Sequence, residues 1–171
     1  ERDGGRIEHR AFSDLASYLS AGDVLVLNRS RVRKARLLGA LPGGGRSEVL
    51  LLRPLDPALR EWEALGRPSR RLRPGTTVTV RPGRLGCRVT CNLGGGELRV
   101  ELLLPEGADP EALIEEAGRV PLPPYIKGEL EDAERYQTVY ASRTGSVAAP
   151  TAGLHFTPEA LAGLRDGGVE E

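Results

Sequence analysis

The 171-residue chain contains no methionine, two cysteines, two phenylalanines and one tryptophan. A translated chain begins with Met, so a sequence opening Glu1-Arg2-Asp3 reads as a piece of a longer protein. The far end reads the same way, because Gly167-Gly168-Val169 falls where a helix finishes and a strand is due. Aromatics make up 4% of residues, and only Phe12, Tyr18 and Trp62 precede the last third. That scarcity argues against a platform that stacks single-stranded bases. No window approaches ~18 consecutive apolar residues, so no membrane span and no membrane partner is expected. The first residues carry no apolar stretch of the secretory type. Cys87 and Cys91 are four apart, which in a strand places them on one face about 13 Å from each other at roughly 3.3 Å per residue. A disulfide needs Cα atoms within about 7 Å, so the two cannot bridge in that form. Without a CxxC pair, and with only His9 and His155, no metal site is expected. Both cysteines read as small core residues in a reducing, cytoplasmic setting. Lysine is scarce too: apart from Lys34 and Lys127, all 24 basic residues are arginine.

What is present fits a soluble globular chain, 39% hydrophobic with mean hydropathy −0.30, long enough for one core or a core and a small satellite. Net charge is zero but unevenly spread. Arg29, Arg31, Arg33, Lys34, Arg36 and Arg46 form one basic run, and Arg67 to Arg88 form another with no acid inside it. From Glu101 to Glu134 the balance reverses, with ten acids against Arg119 and Lys127. Arginine suits bidentate phosphate contacts, so the basic middle points to a polyanion partner, against the plainer reading of solvated faces in an arginine-biased composition.

Ser13 to Ser20 reads as a short helix capped by Ser13 and stapled by Phe12. Val24-Leu25-Val26-Leu27, bounded by turn residues, reads as a fully buried parallel strand with Asn28 just past its C-terminal end. From about residue 36 to 104 the period changes to two. Runs at 47–53, 61–65, 76–81, 85–92 and 97–104 are separated by Pro42-Gly43-Gly44-Gly45, Arg73-Pro74-Gly75, Arg81-Pro82-Gly83 and Gly94-Gly95-Gly96. Five or six such strands make a small antiparallel barrel with an inward face that includes Cys87, Val89 and Cys91. The glycine triplets are hairpin turns; no helix follows them to make a phosphate loop. Asp109-Pro110 opens a helix that closes at Gly118, residues 131–141 read as a second, and Thr157-Pro158 opens a third ending at Gly167 or Gly168. The expected architecture is α+β or α/β: a discontinuous α/β domain, residues 1–38 and 105–171, interrupted by a β-barrel of residues 39–104.

Gly145 to Phe156, GSVAAPTAGLHF, has no large side chain in its first nine residues. Bare backbone lets a ligand or another segment approach the peptide groups, and Pro150 stiffens it. Thr151 adds a hydroxyl and His155 an imidazole able to carry a proton. Close packing around a satisfied core histidine is the competing reading.

Together with PLPPYI at 121–126, RYQTVYA at 135–141 and GDVLVLNRSRVRKARLLG at 22–39, this segment resembles the S-adenosylmethionine:tRNA ribosyltransferase-isomerase family of queuosine biosynthesis. The resemblance runs in order through nearly the whole chain. It implies transfer of the ribosyl part of S-adenosylmethionine to 7-aminomethyl-7-deazaguanine at the tRNA wobble position, with rearrangement to epoxyqueuosine and release of adenine and methionine. S-adenosylmethionine is then a co-substrate, and no true cofactor is implied. The implied catalytic residues are His155, Tyr125 and Thr151. Asn28, Arg31, Tyr136, Gln137, Ser146, Ala152 and Gly153 are expected against S-adenosylmethionine, and Arg135 beside a phosphate or carboxylate. Arg70, Arg71 and Arg73 are expected on tRNA, and the protein is expected to act as a cytoplasmic monomer. Two departures stand out. Arg29 replaces a small polar or acidic residue of the family's Asn-Asp-Thr-Arg-Val pattern, and Arg33-Lys34 replaces its Ile-Pro, losing a rigid turn. The family also continues past residue 171 into His-rich and TNFHLP-like motifs, so the chain is expected to lack part of an active site. A non-catalytic RNA-binding barrel and an inactive fragment remain the alternatives.

Overall fold

The computed structural model describes residues 7–123, 126 and 132–171. Alternating apolar and polar residues in the middle of the chain form strands β2 (Arg36–Ala40), β3 (Arg46–Pro54), β4 (Glu61–Arg67), β5 (Thr77–Arg81), β6 (Leu85–Gly94) and β7 (Glu97–Leu103). They close into a barrel in the order β2-β3-β4-β7-β6-β5, antiparallel throughout. Closure leaves no free sheet edge. Leu37, Val49, Leu51, Trp62, Val89 and Val100 fill the interior, each at most 1% exposed. Trp62 keeps its polar end satisfied by donating from Nε1 to the Leu59 carbonyl at 2.7 Å. Both glycine triplets are turns in the left-handed region, with φ from +78° to +98° at residues 43–45 and +61° to +98° at 94–96.

Of the residues expected to face inward on β6, Cys87 and Val89 do. A bulge between Val89 and Cys91 turns the strand, leaving Cys91 half-buried. Burial pushes the Cys87 thiol up from 9.0 to about 12. The unfolded chain therefore ionises this thiol first, so its contribution to stability is full below about pH 9 and is lost as pH rises towards 12. Between those limits the native protein is expected to lose about 1.4 kcal/mol per pH unit more than a Cys87→Ala variant does. Urea unfolding of both at pH 8, 9, 10 and 11 checks this; parallel curves would place the thiol in contact with water.

Outside the barrel lie β1 (Ser30–Val32), β8 (Arg143–Ser146), α1 (Pro110–Ala117) and α2 (Pro158–Asp166). β1 and β8 pair in parallel, so the whole is an α/β arrangement interrupted by a barrel. Both α-helices start as their sequences dictate. Asp109 caps α1 by accepting from Glu111 N, Thr157 caps α2 by accepting from Ala160 N, and proline fills the first turn of each.

Three further expectations fail. Val24–Leu27 is not a buried strand: Leu25 and Leu27 pack inward, whereas Val24 is 63% and Val26 89% exposed. Its ladder consists of a single parallel bridge, Val24 to Glu170. A four-residue apolar run does not say how many of its faces are covered. Instead of a helix from Ser13, a 3-10 segment spans Phe12–Tyr18, and its capping carboxylate is Asp14, which accepts from Ala11 N at 3.1 Å. Among the described residues of 131–141 the helix shrinks to one 3-10 stretch, Ala133–Tyr136. Gln137 leaves it in extended conformation because its amide is used elsewhere. Among the described residues no helix is long and apolar enough to cross a membrane.

The acidic stretch of the sequence answers part of the basic ones. Glu111, Glu115 and Glu116 on α1 pair with Arg33 (3.0 Å), Lys34 (2.8 Å) and Arg84 (2.9 Å). Glu134 pairs with Arg31, and Glu101 with Arg88 at 3.4 Å. Arg33 and Lys34 are thus both held by α1. Ala35 N closes a tight turn on the Arg33 carbonyl at 2.7 Å.

Candidate functional site

β1 and β8 lie side by side where the chain leaves the α/β part for the barrel. Asn28, exposed, accepts from Ser30 N at 2.9 Å and so sets the entry into β1. Arg31 is half-buried against the Glu134 carboxylate, which raises its pKa further. Val32 is buried, and its peptide group is held by Gln137: the Val32 N–H donates to Oε1 at 2.8 Å while Nε2 donates to the Val32 carbonyl at 2.9 Å. One side chain thereby imitates a neighbouring strand. Tyr136 packs with Val32 and Ala149 in a small buried cluster that Leu154 also joins.

The bare segment begins in β8. Ser146 pairs with Val32, and its hydroxyl donates to the Ala148 carbonyl at 2.7 Å. A 3-10 turn follows, Thr151–His155, whose residues divide between two packed clusters. Leu154 faces the Val32 cluster, while Phe156 anchors the one formed with α2. Thr151, Ala152 and His155 point to solvent. The His155 ring lies 5.3 Å from Phe12. Gly153 is buried, and a Cβ there would stand 2.1 Å from the Tyr140 hydroxyl. Glycine at 153 therefore serves close packing, whereas Ala152 and Thr151 keep open faces.

Asn28, Arg31, Tyr136, Gln137 and Ser146 thus gather around the β1–β8 pair. Thr151, Ala152 and His155 form an exposed continuation of it, and Tyr125 lies outside the described residues. A separate cleft of about 710 Å³ opens between β2 and α1, lined by Lys34, Arg36, Leu38, Arg119, Val120 and Leu122 among others. None of the residues expected at catalysis, S-adenosylmethionine or tRNA lines it. Its signal in the sequence is the basic run, which contributes Lys34 and Arg36 to the lining. A Cβ at Gly118 would meet the Lys34 carbonyl at 1.7 Å, and Arg36 and Arg119 exchange both backbone hydrogen bonds, at 3.0 and 2.9 Å. Arg33, read as a departure and as part of the basic run, is buried at 8% exposure with its guanidinium 4.9 Å from the Trp62 ring centroid. On the barrel, Arg70, Arg71 and Arg73 are all exposed, and Arg71 donates to the Gly44 carbonyl at 3.1 Å.

Comparison with known proteins covers the same span. The family described as "Queuosine biosynthesis protein" matches residues 1–171. The S-adenosylmethionine:tRNA ribosyltransferase-isomerase of Pelotomaculum thermopropionicum is 49% identical over 168 residues, covering 98% of this chain and 48% of its own length. That of Carboxydothermus hydrogenoformans is 45% identical over 170 residues, covering 99% and 49%. The chain therefore spans about half the length of these relatives. A crystal structure of S-adenosylmethionine tRNA ribosyltransferase from Thermotoga maritima is 29% identical, with TM-score 0.39 and coverage of 99% of this chain and 45% of that one. Matched along its whole length, the chain belongs to the queuosine biosynthesis protein family.

Proposed function

We propose that this chain supplies part of an S-adenosylmethionine:tRNA ribosyltransferase-isomerase, acting on 7-aminomethyl-7-deazaguanine at the tRNA wobble position. The observation that carries the reading is the likeness to enzymes of that name, 43–49% identical over nearly the entire chain. S-adenosylmethionine is the co-substrate, and its ribosyl group moves while adenine and methionine depart. The reading includes a cytoplasmic monomer, and a division into residues 1–38 with 105–171 and a barrel of 39–104, a boundary that falls inside β2, Arg36–Ala40.

In this reading the β1–β8 pair and the turn after it are one wall of the site. Thr151 and Ala152 present a low, open surface to S-adenosylmethionine, and His155, exposed beside Phe12, moves the proton next to the sulfonium. Tyr125 belongs to the same group of catalytic residues. Gln137 and Tyr136 act by holding Val32, and with it Arg31, in place. Gly153 lets the turn lie against Tyr140.

Because Ala152 is exposed, enlarging it tests the wall without disturbing a core. Ala152→Leu should abolish S-adenosylmethionine binding by calorimetry while the unfolding free energy stays within about 0.5 kcal/mol. Unchanged binding would remove this turn from the pocket.

A further inference from the structure

Ion pairing leaves a cluster of arginines at one end of the barrel unanswered. At the end where the chain enters and leaves, Arg84 and Lys34 meet α1 carboxylates, and Arg36 meets Glu48 at 2.7 Å. At the opposite end lie the turns after β2, β4 and β6. There Arg46, Arg67 and Arg70 are exposed and, among the described residues, meet no carboxylate within ion-pair distance. They line an open groove of about 800 Å³ whose floor and walls include Ser47, Pro68 and Ser69. Glu48 is the one acid in that lining, and Arg36 already neutralises it. The Ser47 hydroxyl donates to the Arg67 carbonyl at 3.0 Å, tying the two walls together.

We infer that this groove is a binding site for the sugar-phosphate backbone of RNA, the same tRNA on which the proposed function rests. Three guanidiniums without counter-charges around a concave, hydroxyl-bearing surface fit phosphodiesters, which each offer two acceptor oxygens and one negative charge. The groove changes the membership of the RNA contact. Arg70 stays, Arg46 and Arg67 join it, Arg71 is held by the Gly44 carbonyl, and Arg73 lies outside the lining. Its position also sets the kind of RNA. β4 runs seven residues between the barrel's two ends, about 23 Å at 3.3 Å per residue. An RNA reacting beside β1 therefore reaches the groove only if it extends well beyond the target nucleotide, as a stem does and a short loop does not.

The test measures binding of an anticodon stem-loop RNA, and of its loop alone, by fluorescence anisotropy from 50 to 300 mM KCl. The proteins are the native one and the variants Arg46→Ala/Arg67→Ala/Arg70→Ala, the same triple to Lys, and Arg53→Ala. The alanine triple should weaken stem-loop binding and lower the slope of log K against log[salt] by about two to three, roughly one per lost phosphate contact. The lysine triple should keep most of the slope, and Arg53→Ala, whose side chain pairs with Glu63 at 2.8 Å, should change nothing. Loop-only RNA should bind native protein and alanine triple alike. A native stem-loop slope retained in the alanine triple would overturn the groove while leaving tRNA as the substrate. Failure of native protein to bind either RNA would overturn both.

Discussion

Glu111→Ala is expected to destabilise the protein by about 3 kcal/mol, the cost of leaving a buried guanidinium without its partner. The Arg33 side chain is 10% exposed, and the Glu111 side chain 34%. Both carboxylate oxygens accept from it, at 3.0 Å each, while its opposite side rests on Trp62. Removing the carboxylate strands a charge that water reaches poorly, and the exposure of Glu111 keeps the loss at the lower end of the buried-pair range. The double variant Arg33→Met/Glu111→Leu should recover most of the loss, since the need for charge disappears with the charge. Urea titrations of the two variants decide it. A single variant as stable as the native protein would mean that Arg33 turns out to solvent and that α1 is not fastened to the barrel through it.

The second large effect is on turnover. His155→Ala should lower it by about 10²–10⁴-fold, the usual worth of a positioned proton carrier, with RNA affinity and thermal stability unchanged. The stability side follows from exposure, because the ring touches Phe12 but fills no core. A loss confined to KM would make His155 a binding residue. Near-normal turnover would reduce it to a surface ring against Phe12.

Much of the barrel is legible from local signals. Apolar alternation in β3 and β7 and the glycine triplets act within single hairpins, so periodicity and turn chemistry suffice. The two α-helices announce themselves through Asp109-Pro110 and Thr157-Pro158 for the same reason. What escapes the sequence depends on distant partners. Gln137 abandons a helix to hold Val32, 105 positions earlier. Arg33 is buried because Glu111 arrives from α1, and no property of Arg33-Lys34 alone says so. The basic groove exists because β3–β4 pairing sets Arg46 beside Arg67 and Arg70, and the sequence showed the charges without showing which of them α1 would neutralise. At the bare segment the small residues were visible, but not their division: Gly153 packs inward and Ala152 faces out.

The most direct measurement of the proposed function follows the fate of S-adenosylmethionine in the intact protein carrying this chain. It uses RNA bearing 7-aminomethyl-7-deazaguanine, with products separated by liquid chromatography and mass spectrometry. Ribosyl transfer predicts one adenine and one methionine released for each RNA that gains the rearranged ribosyl group. Adenine and methionine absent from the products, or S-adenosylhomocysteine appearing with a methylated RNA, would contradict it.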